Sequence, residues 1–260
     1  MRLRVTTALT LAWALLPGLA LAGQDQELTE RIKAALRDNP EIVLEALRQR
    51  PIQVYDIAVA GGEQKREQAW REQIAAAIKK PIAPEVGGPR AVLGRADAPV
   101  TIFEYTDFSC QACARNAAMV LDLLEAQPQR VRVFLKHSPS DEYARTAALH
   151  FEAIARQSPV KAWRFQELVF QRQAALRKAG PAALQGLLDE LAVEPNALAK
   201  DLADPDLAKR IDDDMAEAER FHIKNTPSYV INGVLIEGAA PKEAVLKVME
   251  MIEAAERKQP

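Results

Sequence analysis

Two cysteines are the whole thiol complement of this 260-residue chain, and they stand three positions apart in Asp107-Phe108-Ser109-Cys110-Gln111-Ala112-Cys113-Ala114-Arg115. Such a pair can cycle between dithiol and disulfide, one thiolate attacking a disulfide and the other thiol resolving the mixed disulfide that results. A structural disulfide over so short a span would close a tiny loop and restrict the unfolded chain very little, so stability is a poor reason for the pair. Two thiols without a second pair nearby also make a poor structural zinc site. Soft Cu(I) could still take both thiolates, Cys110 and Cys113, and that metal role stays open beside the redox one. No cofactor other than the redox pair itself is expected. His137, His150 and His222 are read as surface or locally hydrogen-bonded residues rather than ligands.

The flanking residues must place these sulfurs. An apolar run (Val100, Ile102, Phe103, Tyr105) precedes them and a helix-like one (Ala117, Ala118, Val120, Leu121, Leu124) follows, so the pair sits at a strand-to-helix turn. At a helix start, Cys110 meets unpaired backbone N–H groups and the positive end of the helix dipole. Its pKa is therefore expected below the free-thiol value of about 8.5, which makes Cys110 the attacking sulfur. Cys113, one turn along and facing inward, resolves. Glu104 interrupts the first strand six residues before Cys110, and Lys136 ends the next. An isolated buried carboxylate is costly, so Glu104 calls for a partner.

The elements follow in order. Ala91-Val92-Leu93-Gly94 predicts an edge strand, Pro99 to Tyr105 a central one, and Val131, Val133, Phe134 and Leu135 a third. Strand, helix, strand makes a parallel βαβ unit with a right-handed crossover. From Ser140 to about Phe221 the pattern is helical, punctuated by prolines, with Asp212-Asp213-Asp214 read as a solvated face. Asn232-Gly233 between Ser228–Ile231 and Val234–Ile236 predicts a tight hairpin, and a helix from Pro241 to Glu256 closes the chain. Phe108, Tyr105 and Tyr229 are left open between core and an apolar surface for unfolded chains.

The N-terminus reads as an address rather than as fold. Arg2 and Arg4, the apolar stretch Val5 to Leu16, the Pro17-Gly18 break and Ala20-Leu21-Ala22 make a secretory signal peptide over 1–22. The expected location is the periplasm, where disulfides persist. Removing that leader leaves 32 basic and 36 acidic residues, a net charge of −4 with no electrostatic case for nucleic acid or an anionic membrane. Residues 23–80 read as short helices with stripes at Leu28, Ile32, Leu36, at Ile42, Val43, Leu47 and at Trp70, Ile74, Ile78. Pro51 and Gly61-Gly62 are expected to interrupt them. Region 23–90 balances 11 basic against 11 acidic residues, so an apolar stripe is its expected partner, either the catalytic domain or other subunits. Residues 81–90 form a linker rich in Pro and Gly, and 91–260 a domain with a helical insertion over about 140–221.

This order, with Cys-x-x-Cys at the first βα turn and Thr226-Pro227 before the hairpin, resembles the DsbA family, an α/β thioredoxin-like fold carrying a helical insertion. Gly94, Ala98-Pro99-Val100-Thr101, Glu104, Cys110, Cys113, Thr226-Pro227-Ser228 and Asn232-Gly233 carry the match over roughly Val92 to Ile252. The stretch Leu36 to Leu47 is similar to the N-terminal region of ScsC-type relatives, linked to copper tolerance, in which this region can assemble trimers. The resemblance implies a cis Thr226–Pro227 peptide opposite the sulfurs, whose backbone would pair with an extended substrate chain. It makes Glu104 a proton relay toward Cys113, with Lys136 as its partner. Gln111-Ala112 lacks the histidine of the strongest oxidants of the family, so a milder thiolate is expected.

The reading is an exported thiol-disulfide oxidoreductase, leaning to an isomerase. Its expected partners are unfolded or misoxidised exported proteins, a membrane redox partner and further copies of itself. A DsbA-type oxidase and a copper-binding or chaperone-like module are the alternatives.

Overall fold

A computed structural model describes residues 18–258, with side chains from Asp25 onward. The signal-peptide reading falls almost wholly outside the described residues. The chain divides into two units, Met1–Gln68 and Ala69–Pro260.

The first unit is helical: α1 (Gly18–Asp38), α2 (Pro40–Arg48) and the opening of α3 (Pro51–Lys79). Asn39 forms the turn, and Pro40 and Pro51 each begin a helix, where proline's missing N–H costs nothing. Contrary to the expected break, Gly61 and Gly62 lie inside α3. Neither adopts a positive φ. Glycine weakens a helix by about 1 kcal/mol against alanine but keeps its N–H, and the helix formers around this pair carry it through. Leu28, Ile32, Leu36, Ile42, Val43, Leu44 and Leu47 are all exposed.

The second unit is built on a five-stranded sheet in the order β1 (Val92–Gly94), β3 (Val131–His137), β2 (Val100–Thr106), β4 (Ser228–Ile231), β5 (Val234–Glu237). β2 and β3 are parallel, joined by α4 (Gln111–Ala126); the other pairings are antiparallel. Asn232 (φ 44°) and Gly233 (φ 88°) make the β4–β5 turn, with positive φ at both central positions as a two-residue hairpin needs. Between β3 and β4 lie α5 (Glu142–Gln157), α6 (Pro159–Gln171), α7 (Gln173–Ala179), a 3₁₀ turn at Pro181–Leu184, α8 (Gln185–Glu190), α9 (Pro195–Leu202) and α10 (Pro205–Arg220). Helix α11 (Lys242–Glu256) follows β5.

Period-two alternation divides the sheet. Ile102, Val133, Leu135, Tyr229 and Ile231 join Cys113, Val120 and Leu123 of α4 in the main core. Phe103, Tyr105, Phe134 and Val230 form a second cluster with Ala218 of α10. The last part of α3 belongs to the main core, with Ile74 buried and Trp70 beneath Lys247 Nζ at 5.3 Å. Residues 81–90 run without helix or strand, yet they are strapped down. Ile82 N–H donates to Gly233 O, Glu85 N–H donates to Glu217 Oε2, and Arg90 is buried at the end of β3. Among the described residues, no helix is long and apolar enough to cross a membrane.

Candidate active site

β2 ends at Thr106, and the loop Asp107-Phe108-Ser109 delivers Cys110 as the N-cap of α4. Each residue of that loop is held. Asp107 carboxylate oxygens accept from Ser109 N–H (2.7 Å) and Ser140 N–H (3.1 Å), and its carbonyl accepts from Cys110 N–H. Phe108 is core, 1 % exposed, amid His137, Phe151, Phe165 and Phe170 with ring centroids 5.4 to 6.5 Å away. Ser109 Oγ donates to Asp141 (2.7 Å), which also caps α5 by accepting from Ala144 N–H. Gln173 of α7 donates through one buried amide nitrogen to the carbonyls of Phe108 (2.9 Å) and Cys110 (3.0 Å).

The sulfurs are unequal. Cys110 Sγ accepts from Cys113 N–H at 3.3 Å, and its thiol donates to the carbonyl of Thr226 at 3.2 Å. Burial pushes the Cys110 thiol up, but hydrogen bonding by the Thr226 side chain and by the Cys113 and Ala112 backbone outweighs it and leaves the pKa below the ordinary thiol value. Cys113 is fully buried, and burial drives its pKa well up. One sulfur is reachable and readily ionised, the other shielded and protonated, which is the asymmetry that attack and resolution require.

Thr226–Pro227 is cis. Behind it, Ser228 Oγ donates to Asn225 O (2.6 Å) and accepts from Gly238 N–H (3.4 Å), fixing the loop that faces Cys110. Tyr229, next in β4, accepts from Asn116 Nδ2 of α4 at 2.6 Å and so ties the cysteine-bearing helix to that strand.

Glu104 lies on the same sheet face as α4, opposite Tyr229 and Leu135 in the register. It is 1 % exposed, Oε1 has no hydrogen-bond partner, and burial raises its pKa to about 7. Lys136 is not its partner. In the parallel β2–β3 register Lys136 stands opposite Tyr105, so its side chain emerges on the other face. There Nζ meets Glu217 Oε1 at 2.8 Å and Asp214 Oδ1 at 3.0 Å and lies over the Phe103 ring. The pairing assumed two strand positions could be matched without asking which face each occupies.

Asp214 corrects a second expectation. Only Asp212 and Asp213 are solvated; Asp214 is 1 % exposed and also accepts from Arg90 (2.6 Å) and His137 N–H (3.0 Å). Its position is legible in hindsight, because Leu207, Ile211, Asp214 and Ala218 repeat at helical spacing. His137 is buried and locally hydrogen-bonded, one of the two expectations for it, and shares its Nε2 with Glu152 at 3.0 Å. Burial works against the charged form of Glu152, but the His137 bond and the Arg90 and Arg210 charges hold its pKa down at about 2. Tyr105 and Tyr229 are core. Gln173 had no signal: a polar residue in a long helical insertion reads as surface until the chain folds back.

The family model for thioredoxin matches residues 87–251. The chain belongs to the thioredoxin family. Its sheet carries a helical insertion, α5 to α10, between β3 and β4. The chain superposes on BdbD from Bacillus subtilis, in the oxidised form, with TM-score 0.59 and 23% identity, covering 66% of this chain and 96% of that one. On a linker-deletion mutant of Proteus mirabilis ScsC the TM-score is 0.56 at 19% identity, covering 90% of this chain and 97% of that one. Among curated relatives, disulfide bond formation protein D of Bacillus subtilis is 25% identical over 64% of this chain and 78% of its own length. A Na(+)/H(+) antiporter NhaA of Herminiimonas arsenicoxydans is 30% identical over 70% of this chain. The chain spans only 29% of that antiporter's length.

Proposed function

We propose that this chain is an exported thiol-disulfide oxidoreductase acting on protein substrates, with the Cys110–Cys113 pair as its only redox group. The observation that carries the reading is the Cys110 sulfur held between the Cys113 N–H and the Thr226 carbonyl at 3.3 and 3.2 Å, with its pKa lowered, above a buried Cys113. The Cys110 thiolate attacks one sulfur of a substrate disulfide. A Cys110–substrate S–S bond forms, the substrate S–S bond breaks, and the released thiolate takes a proton. Cys113 then gives up its proton and attacks Cys110 Sγ, which expels the substrate thiolate and leaves the chain oxidised; run backward, the same steps oxidise a substrate dithiol. Glu104, buried on the α4 face with a pKa near neutrality, suits a proton acceptor for Cys113, whereas Lys136 acts only in the ionic cluster. Thr226 backbone groups beside the sulfur would pair with an extended substrate segment.

Isomerase rather than oxidase is the favoured direction. The exposed leucines and isoleucines of α1 and α2 are more apolar surface than short helices keep uncovered, which supports self-association, in a trimer by resemblance. Several redox sites in one assembly suit disulfide shuffling, and a membrane redox partner would keep them reduced.

Refolding of a scrambled-disulfide protein tests the chemistry: the chain restores activity, and Cys110→Ala does not. Activity that survives Cys110→Ala would refute it. Light scattering of the mature chain beside its Leu36→Glu/Leu47→Glu variant tests assembly; a monomer in both cases removes the basis for the isomerase direction.

A further inference from the structure

Two of the buried polar atoms left without a hydrogen-bond partner belong to residues that line one cavity: Glu104 Oε1 on β2 and Trp163 Nε1 on α6. Unpaired buried polar atoms cost free energy, and two on residues that line a single void point to something that fills it. The cavity, about 370 Å³, opens between α4 and α6, and neither redox sulfur nor Thr226 lines it. Its volume falls at the small end of the range for ligand pockets, about 300–1,000 Å³.

Its shape comes from the sequence of α4. Ala114, Ala117 and Ala118 of α4 line the cavity together with Trp163 and Phe170 of α6, and the alanine methyl groups are too short to fill the space between the helices. At the rim, Val160 is 79 % exposed and Leu121 47 %, an apolar mouth. The rim charges Arg164 and Glu167 bind each other, so they offer no net pull on an ion. A carboxylate or phosphate inside would be buried beside Glu104 without a cation, and an ammonium would lose its hydration for one carboxyl group. A pure hydrocarbon would leave both orphaned atoms unpaired. A hydroxyl both donates and accepts, whereas indole N–H only donates and a carboxyl group can do either.

We propose that this cavity binds a small neutral amphiphile, an apolar body the size of an alkylphenol whose hydroxyl group reaches Glu104 and Trp163. The site lies beside the exchange centre and does not depend on it for binding, so the inference goes beyond the redox reading. An occupant would touch Ala114 and Ala117 on the helix that carries both sulfurs.

The probe is 4-propylphenol, titrated into the full chain while the indole N–H resonance of Trp163, assigned by its loss in Trp163→Phe, is followed by ¹⁵N correlation spectra. A saturable shift of that resonance is expected, with propylbenzene binding at least about ten-fold more weakly because the polar atoms stay unpaired. Val160→Glu, at an exposed position that leaves folding intact, should weaken binding about ten-fold by placing a charge at the apolar mouth. Ala118→Phe, checked for folding by circular dichroism, should abolish it by filling the void. No saturable shift up to the solubility limit, equal affinity for propylbenzene, or unchanged affinity in Val160→Glu would each overturn the proposal.

Discussion

On the face of the sheet turned away from α4, Lys136 is held by Glu217 and Asp214 at 2.8 and 3.0 Å, and Asp214 takes Arg90 at 2.6 Å. On the α4 face, Glu104 is as deeply buried and has an oxygen with no partner at all. The two regions sit one residue apart in register, yet one pairs its charges while the other keeps a carboxyl group unsatisfied. The paired set joins the strap at Arg90, the end of β3 and helix α10, which places the insertion against the sheet. The unpaired acid is held near neutrality by burial alone, where a small change in surroundings or pH moves its proton. The paired carboxylates hold distant elements together, whereas the unpaired acid keeps a proton that its surroundings can shift.

The largest effect is expected at Asp214. Asp214→Ala leaves Arg90 and Lys136 without a shared carboxylate, and a loss of about 3–5 kcal/mol in urea unfolding is expected. A loss no larger than that of an ordinary surface change would mean the cluster does not position the insertion.

Glu104 should behave in the opposite sense. Its folded-state pKa, about 7, lies above the ordinary 4.5, so the folded chain binds that proton more tightly than the unfolded chain. The resulting stabilisation is complete below about pH 4.5 and is lost as pH rises through about 7, on the order of 3 kcal/mol in all. Glu152, with a pKa near 2, adds its own dependence only below that window. Glu104→Gln should therefore flatten the fall in stability between about pH 4.5 and 8. The same fall in wild type and variant would locate the titration elsewhere.

Gln173→Leu comes next. It strips the amide donor from two carbonyls that bracket the cysteine turn, for about 1–3 kcal/mol. Thiolate absorbance should also show the Cys110 pKa rising toward the ordinary value, which a purely structural loss would not produce. The smallest effect is expected at Asp213, which sits beside Asp214 in sequence but on the solvent side, paired with exposed Lys209. Asp213→Ala should leave the unfolding midpoint where it is.

What could be read from the chain tracks how local the cause is. Asn232-Gly233 forces its hairpin, Cys110 becomes an N-cap because an apolar strand and an alanine-rich helix flank it, and the βαβ order leaves one handedness. Gly61-Gly62 misled, since a pair of glycines inside a long run of helix formers weakens a helix without ending it. The strap at 81–90 looked free because proline and glycine mark local flexibility, and nothing nearby announced that Arg90 would be buried.

The cysteine pair at its strand-to-helix turn, the inequality of its sulfurs and the order of the elements were legible in the chain alone, because strand period, helix capping and turn chemistry act over a few residues. The tertiary structure alone decided which charges meet. Sheet register sent Glu104 and Lys136 to opposite faces, α10 turned Asp214 inward, and α7 brought Gln173 to the cysteine turn from 63 residues away. Those contacts depend on how distant segments fold back on one another, and local spacing carries no record of that.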